Sequence, residues 1–291
     1  NEAESKILEH AWWMKKQGFK DTTIRNRVGV LKRLVRLGAN LSDPESCKAV
    51  IAGLDVCENS KRQISVVYGC YAKSNHIAWT PPNYALTRRI PFIPLESEID
   101  ALIAGSGKKT ATILQVIKET GMRIGEVRRL EWTDLDLENS TIKMNSPEKG
   151  SNPRIFKVSS KLVAMLNTMP KTDDRIFAVR DLSVRANFNR QKRRIALKLQ
   201  NPRLTQITFH TLRHWKATTE YHRTRDILYV KQLLGHKQIE NTMLYTQLVN
   251  FESDDYSSAV AKTVDEARGL VEAGFEYVCS HDNTMLFRKR K

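Results

Sequence analysis

The chain is 291 residues long, 41% hydrophobic and 27% charged. This composition excludes a disordered chain, a collagen-like fibre and a disulfide mini-protein, and leaves room for one large or two medium domains. Lys and Arg number 48 against 32 Asp and Glu, a net charge of +16, which suits a polyanionic partner such as nucleic acid or an acidic membrane surface; plain solubility is the bland alternative.

Residues 4–77 carry helical periodicity. Leu8, Trp12, Met14 and Phe19 fit one packed helix and its exit. Asp21-Thr22-Thr23 offers cap oxygens to a second helix, in which Ile24, Val28, Leu31, Leu34 and Val35 recur at helical spacing. Arg25, Arg27, Lys32, Arg33 and Arg36 lie on its other face, the first four as candidate DNA contacts with a solvated surface as the plainer reading, and Gly38 stops it. Asp43-Pro44 opens a third helix. A fourth runs from about Ser60 to Ser74 with Ile64, Val67 and Tyr71 inward, giving a small helical bundle over 1–77. Residues 78–94, AWTPPNYALTRRIPFIP, hold four prolines and no period, and read as an extended linker. Its Arg88 and Arg89 are candidate phosphate contacts. The charge surplus is seven over residues 1–90 and nine over the rest, as expected of two basic domains on one polyanion.

The second domain spans 95–291. Leu95–Ala104 and Thr110–Glu119 are predicted helices; Gly121 ends the second, and another starts close to Arg123. Thr141–Asn145 and Arg154–Val158 alternate like two strands around the turn sequence SPEKGSNP, which sets Lys149 at a hairpin tip. Helices resume at about 160–169, 182–199, 211–222, 225–234 and 238–247. Thr263-Val264-Asp265-Glu266 is a capping box, predicting a helix to Ala273 stopped at Gly274; FEYVCS, HDN and TMLFRKR follow as strand, turn and strand in a tail over 252–291. The fold class is mainly α with a small sheet. Cys47, Cys57, Cys70 and Cys279 form no CxxC pair and read as reduced and mostly buried, with no metal role. No run of about eighteen apolar residues predicts a membrane span. The opening NEAESKILEH lacks a signal-peptide layout, so a cytoplasmic location is expected.

Chemistry-bearing residues fall in separated segments. In TGMRIGEVRRLEWTDLD, Arg123 follows Gly121, and Glu126 lies one turn on, able to hold the guanidinium; an ordinary amphipathic helix is the plainer reading. Lys149 alone is an ordinary solvated turn lysine. In HTLRHW, His210 and Arg213 share a helix face while His214 points elsewhere. That pair suits a phosphate better than a metal, because guanidinium binds two oxygens and imidazole gives a proton or hydrogen bond. In LLGHKQIENTMLYTQL, Gly235 ends a helix, His236 follows in the turn, and Tyr245 lies nine residues further on.

Together these residues resemble the tyrosine recombinase (integrase) family, Xer-like in character. The match runs in order through Thr120-Gly121-Met122-Arg123, Lys149, His210-Thr211-Leu212-Arg213-His214, Leu233-Leu234-Gly235-His236 and Thr242-Met243-Leu244-Tyr245-Thr246. The first domain resembles the family's core-binding bundle in size, charge and placement. The resemblance implies a C-shaped clamp on double-stranded DNA and a homotetramer on two duplexes, with no cofactor and no metal. It implies that Tyr245 attacks a DNA phosphodiester to give a 3′-phosphotyrosyl bond, with Arg123 and Arg213 neutralising the phosphate. His210 is the candidate proton acceptor, Lys149 the candidate acid for the leaving 5′-oxygen, His236 a phosphate donor, and Glu126 a support for Arg123 or a surface residue. Lys143 and Lys157 compete with Lys149; Tyr221, Tyr229 and Tyr256 are rival nucleophiles, but none has the LLGH segment at the right distance upstream. Arg185, Arg190, Lys192, Arg193, Arg194 and Lys198 read as a helix on DNA, or as a solvated face. The tail resembles those of archaeal and archaeal mobile-element integrases, and leaves open action in trans, an added sheet, or closure on its own domain. Alternatives are a type IB topoisomerase, a non-catalytic DNA-binding protein of the same fold and, remotely, a ribonuclease.

Overall fold

The computed structural model of the protein describes residues 2–86, 90–178, 181–248, 256–281 and 284–290. It divides into two compact units, Asn1–Ile90 and Pro91–Lys291. Arg88 and Arg89 lie outside the described residues.

The first unit is a bundle of α1 (Glu2–Lys16), α2 (Asp21–Arg36), α3 (Pro44–Ala52) and α4 (Glu58–Ser74). In α3 the Asp43 carboxylate accepts from the Glu45 N–H and Pro44 fills the first turn, the local chemistry that starts a helix. In α2, Lys20 rather than an Asp21 or Thr oxygen occupies the cap position, without a side-chain bond. The packed face of α1 is Ile7, His10 and Met14, so Met14 is buried as expected, whereas Leu8 and Trp12 are 72% and 64% exposed and their expected packing is corrected. Both faces of this helix carry apolar residues, and the choice between them is made by contact with α2 and α4. Tyr68 and Tyr71 on α4 are fully buried, and Trp79 sets its ring edge-on to Tyr68 at 4.6 Å. The cysteine expectation is corrected too: all four are free, but only Cys47 is buried, with Cys70 intermediate and Cys57 and Cys279 exposed.

The second unit is built around α6 (Lys108–Thr120), buried on nearly every face by α5 (Glu96–Gly105), α8 (Ser160–Asn167), α9 (Asp181–Lys198) and α10 (Phe209–Thr224). Gly121 caps α6 in the left-handed conformation (φ 66°), which glycine adopts without a Cβ penalty. The chain then enters the short α7 (Ile124–Arg128) and an antiparallel sheet of β1 (Leu135–Asp136), β2 (Thr141–Met144) and β3 (Arg154–Lys157), in which Thr141 pairs with Lys157 and Met144 with Arg154. The expected hairpin is β2–β3; the two-residue β1 is too short to leave a period in the sequence. Beyond α10 come α11 (Ile227–Leu234), ended by a left-handed Gly235, and α12 (Glu240–Met243). The helix expected over 238–247 is α12 followed by a 3-10 turn, Leu244–Leu248. The tail holds β4 (Tyr256–Ala261), α13 (Val264–Glu272), β5 (Glu276–His281) and β6 (Thr284–Arg290). The Thr263 capping box starts α13 as expected. The sheet has β6 in the middle, order β4-β6-β5, and β4 is a strand the sequence pattern did not reveal.

Candidate active site

Four of the residues singled out from separate segments, Arg123, Lys149, His210 and Arg213, line one pocket together with Ile124, Glu148, Arg185 and Phe209. Arg123 stands at the cap of α7, its backbone N–H donating to Glu126 Oε2 at 2.9 Å and its guanidinium to Glu126 Oε1 (3.1 Å) and Ser151 Oγ (2.8 Å). Glu126 is fully buried, so the surface reading is corrected, and it bonds Arg123 from inside the fold. Burial pushes its carboxyl up, but Arg154 and the N–H groups of Arg123 and Glu148 outweigh that and hold it below the usual carboxylate range.

Lys149 occupies the hairpin turn with φ 54°, next to Gly150 at 66°. The turn is fastened by Glu148, whose N–H donates to Glu126 Oε1 (3.1 Å) and whose Oε1 accepts from Arg129 (3.1 Å). Lys143 and Lys157 are strand residues of β2 and β3 and are not on the pocket wall.

Arg213 on α10 is 1% exposed, donating to the carbonyls of Gly121 (2.7 Å) and Leu234 (2.6 Å). These two bonds tie α10 to the turns that end α6 and α11. Burial, then the Arg123 charge, push its pKa down to about 9, which leaves it cationic at neutral pH. His236 follows Gly235; its Nε2 meets Arg213 Nη2 at 3.3 Å and its Nδ1 meets Thr242 Oγ1 at 3.0 Å. A guanidinium only donates, so Nε2 is the acceptor and the proton sits on Nδ1, donating to Thr242. Burial first, and the charges of Arg213, Arg123 and Arg154 next, depress His236 to about 4. His210 is depressed by burial and by Arg213, Lys149 and Arg123. Burial is the larger cause in both histidines, and the neighbouring cations add to it.

Tyr245 is 3% exposed, packed with Ala217, Val230 and Leu234. Its hydroxyl lies 3.0 Å from His214 Nδ1. The expectation that His214 points elsewhere is therefore corrected: it lies one helical turn beyond His210, with ring centroids 4.4 Å apart, and shares that face. Burial pushes the phenol pKa up, and the charges of Arg213 and Arg123 pull it back.

Arg154 is the other residue the sequence reading missed. It is 9% exposed, 2.9 Å from Glu126 and donating to Leu234 O at 2.7 Å. It ties the hairpin to the His236 turn. Its strand buries Arg154 and Phe156 while Ile155 is 69% exposed. The alternation was visible; that a cation stands on the buried side depends on Glu126, far back in the chain.

Among the expected DNA contacts, Arg25, Lys32 and Arg33 are exposed on α2, and Arg193 is exposed on α9. Arg190 donates to Asn187 and Arg194 to Gly105 O while both stay exposed. Arg27 packs over Phe19 and donates to Cys70 Sγ. Lys192 is corrected: it is 6% exposed and donates to Ile207 O at 2.7 Å, so its ammonium braces the fold rather than facing a polyanion. Among the described residues no helix is long and apolar enough to cross a membrane, and no three His, Cys, Asp or Glu cluster as metal ligands would.

The sequence profile of the phage integrase family matches residues 95–251. Tyrosine recombinase XerA of Saccharolobus solfataricus is 23% identical over 207 residues, covering 68% of each chain; other curated relatives are matched over 48% to 63% of their length. A lambda integrase dimer bound to a COC′ core site shares the fold with a TM-score of 0.65 at 16% identity, covering 87% of this chain and 79% of that one. The Tn1549 transposon integrase in complex with transposon right end DNA does so with a TM-score of 0.63 at 15% identity, covering 92% and 98%.

Proposed function

The chain belongs to the phage integrase family, and on that premise we propose that it is a site-specific recombinase that cleaves and rejoins double-stranded DNA through a 3′-phosphotyrosyl bond on Tyr245. The observation that carries this reading is the convergence of Arg123, Lys149, His210 and Arg213 on one pocket, with the Tyr245 phenol bonded to the helix that bears Arg213. Tyr245 Oη attacks phosphorus, and negative charge gathers on the non-bridging oxygens, where Arg123 and Arg213 neutralise it. An arriving phosphate also offsets the part of the histidines' depression that the charges of Arg213, Arg123 and Lys149 add to burial. This favours a second proton on His236, which then donates from Nε2 to a phosphate oxygen, and makes His210 more basic as the acceptor of the phenol proton that Tyr245 loses. Lys149 protonates the 5′-oxygen as the P–O bond breaks. The covalent link keeps the phosphodiester energy for religation, so neither metal nor nucleotide enters the reaction.

The exposed arginines and lysine of α2 and α9 are proposed to hold DNA phosphates, with the first unit as the core-binding domain and four protomers acting on two duplexes. The bonds that Arg213 makes to Gly121 and Leu234 support a preset site, because its guanidinium is fixed before DNA arrives.

The test is covalent trapping. Nicked duplex fragments from the DNA around the protein's own gene are incubated in EDTA and run on denaturing gels. The expected result is a detergent-resistant, protease-sensitive adduct on the 3′ side, absent with Tyr245→Phe. Tight binding to the same fragments without an adduct would overturn the proposal in favour of a non-catalytic binder.

A further inference from the structure

The hydroxyl of Tyr245 does not meet the pocket residues directly. It meets His214, whose Nδ1 lies 3.0 Å from Oη and whose ring centroid stands 5.7 Å from the phenol ring. Around them the wall is closed: the phenol packs on Ala217, Val230 and Leu234, and the His210 ring stands edge-on against His214. His214 follows Arg213 directly on α10. Neighbours on a helix diverge by about 100°, so one helix presents a guanidinium to the pocket and an imidazole to the attacking group. The distance between them is set by two adjacent backbone positions and not by a loop.

We propose that His214 is a positioning residue for the nucleophile: its Nδ1 accepts the phenol hydrogen of Tyr245 and so aims Oη from the helix that holds Arg213. The inference rests on the reading of Tyr245 as the attacking group. It assigns His214 a role apart from that of His210, which lines the pocket. The direction of the bond follows from the surroundings. Burial, with His210 and Arg213 beside it, depresses the His214 pKa to about 4, so the ring is neutral at physiological pH, and the phenol is the natural donor to its bare nitrogen. The hydrogen then sits on Nε2. A hydroxyl held in this way keeps one lone pair fixed in direction, and a displacement of about 1 Å at such a site lowers rate by about a hundredfold.

The experiment has two arms on the full chain. In the first, single-turnover adduct formation and DNA affinity are measured for wild type, His214→Ala, His214→Asn and His214→Gln, with thermal melting to confirm folding. The Asn amide oxygen falls close to the Nδ1 position, whereas the Gln amide reaches past it towards Nε2. The expected result is about a hundredfold slower cleavage by His214→Ala and His214→Gln at unchanged DNA affinity, with substantial recovery in His214→Asn. Cleavage by His214→Ala at or above the wild-type rate would overturn the proposal, since the bond would then be irrelevant or a restraint; Asn no better than Gln would overturn it as well. In the second arm, nitrogen NMR of the imidazoles without DNA is expected to show His214 protonated on Nε2 at neutral pH, with Nδ1 shifting in Tyr245→Phe. A proton on Nδ1 would overturn the proposal. An adduct that persists in Tyr245→Phe would instead overturn the reading of the nucleophile, a result separate from either His214 readout.

Discussion

Arg213 on α10 and Arg154 on β3 both donate to the Leu234 carbonyl, next to the turn that carries His236. They differ in what their removal should do. Arg154 neutralises a fully buried carboxylate, and Arg154→Ala leaves Glu126 with backbone donors and Arg123 but without its closest buried cation. Breaking such a pair is expected to lower stability by about 3–5 kcal/mol, read as a fall in melting temperature. Arg123→Ala removes a side chain at the pocket wall. It should lower single-turnover cleavage by about a hundred- to a thousandfold with little change in melting, and an equal loss of stability in the two variants would refute the distinction. At this scale the sequence was a good guide to which residues of separate motifs gather: Arg123, Lys149, His210 and Arg213 line one pocket. It was a poor guide to Arg154 and His214, whose roles depend on partners distant in the chain, Glu126 and Tyr245.

Turns and caps carry the element scale. Asp43-Pro44, Gly121 and the Thr263 box were legible because each acts within a few residues of itself. Most of the packed face of α1 was not, since Ile7 and His10 compete with Leu8 and Trp12 and only tertiary contact chooses. Nor was the break of the 238–247 segment into α12 and a 3-10 turn. Gly235 joins both lessons. Its φ of 67° would be anticipated for a glycine closing a helix, but a Cβ there would also stand 3.1 Å from the Arg154 guanidinium. Gly235→Ala should therefore cost about 1–2 kcal/mol for the left-handed backbone alone, and more if Arg154 cannot yield. The same variant should slow cleavage, because His236 is the next residue. Calorimetry and the trapping assay check the two effects separately.

The surplus of positive charge belongs to the whole molecule. If both units hold phosphates, raising salt from about 50 to 200 mM should weaken DNA binding by about a thousandfold or more, as for proteins with six to ten phosphate contacts; a flat salt profile from filter binding would refute a backbone grip. Acid sensitivity is a second whole-molecule property. His10 in the first unit and His214 and His236 in the second are each held near 4, chiefly by burial, against an ordinary value near 6.5. Between those values the unfolded chain binds more protons than the folded one. Stability should therefore be complete above about pH 6.5 and drain away as pH falls towards 4, by up to about 1.4 kcal/mol per pH unit for each histidine. A melting temperature unchanged from pH 7 to pH 4.5 would contradict this.

The tail sheet has a consequence for synthesis. Its strand order is β4-β6-β5, so the strand made last stands between the two made first, pairing Tyr256–Ala261 on one side and Glu276–His281 on the other. While the ribosome has yet to release residues 284–290, β4 and β5 lack the strand that both pair with, and the nascent chain carries two unpaired strands at once. A premature stop codon within those few codons would strip hydrogen bonds from both neighbours together, so a nonsense change here should act on the whole sheet and not on one edge.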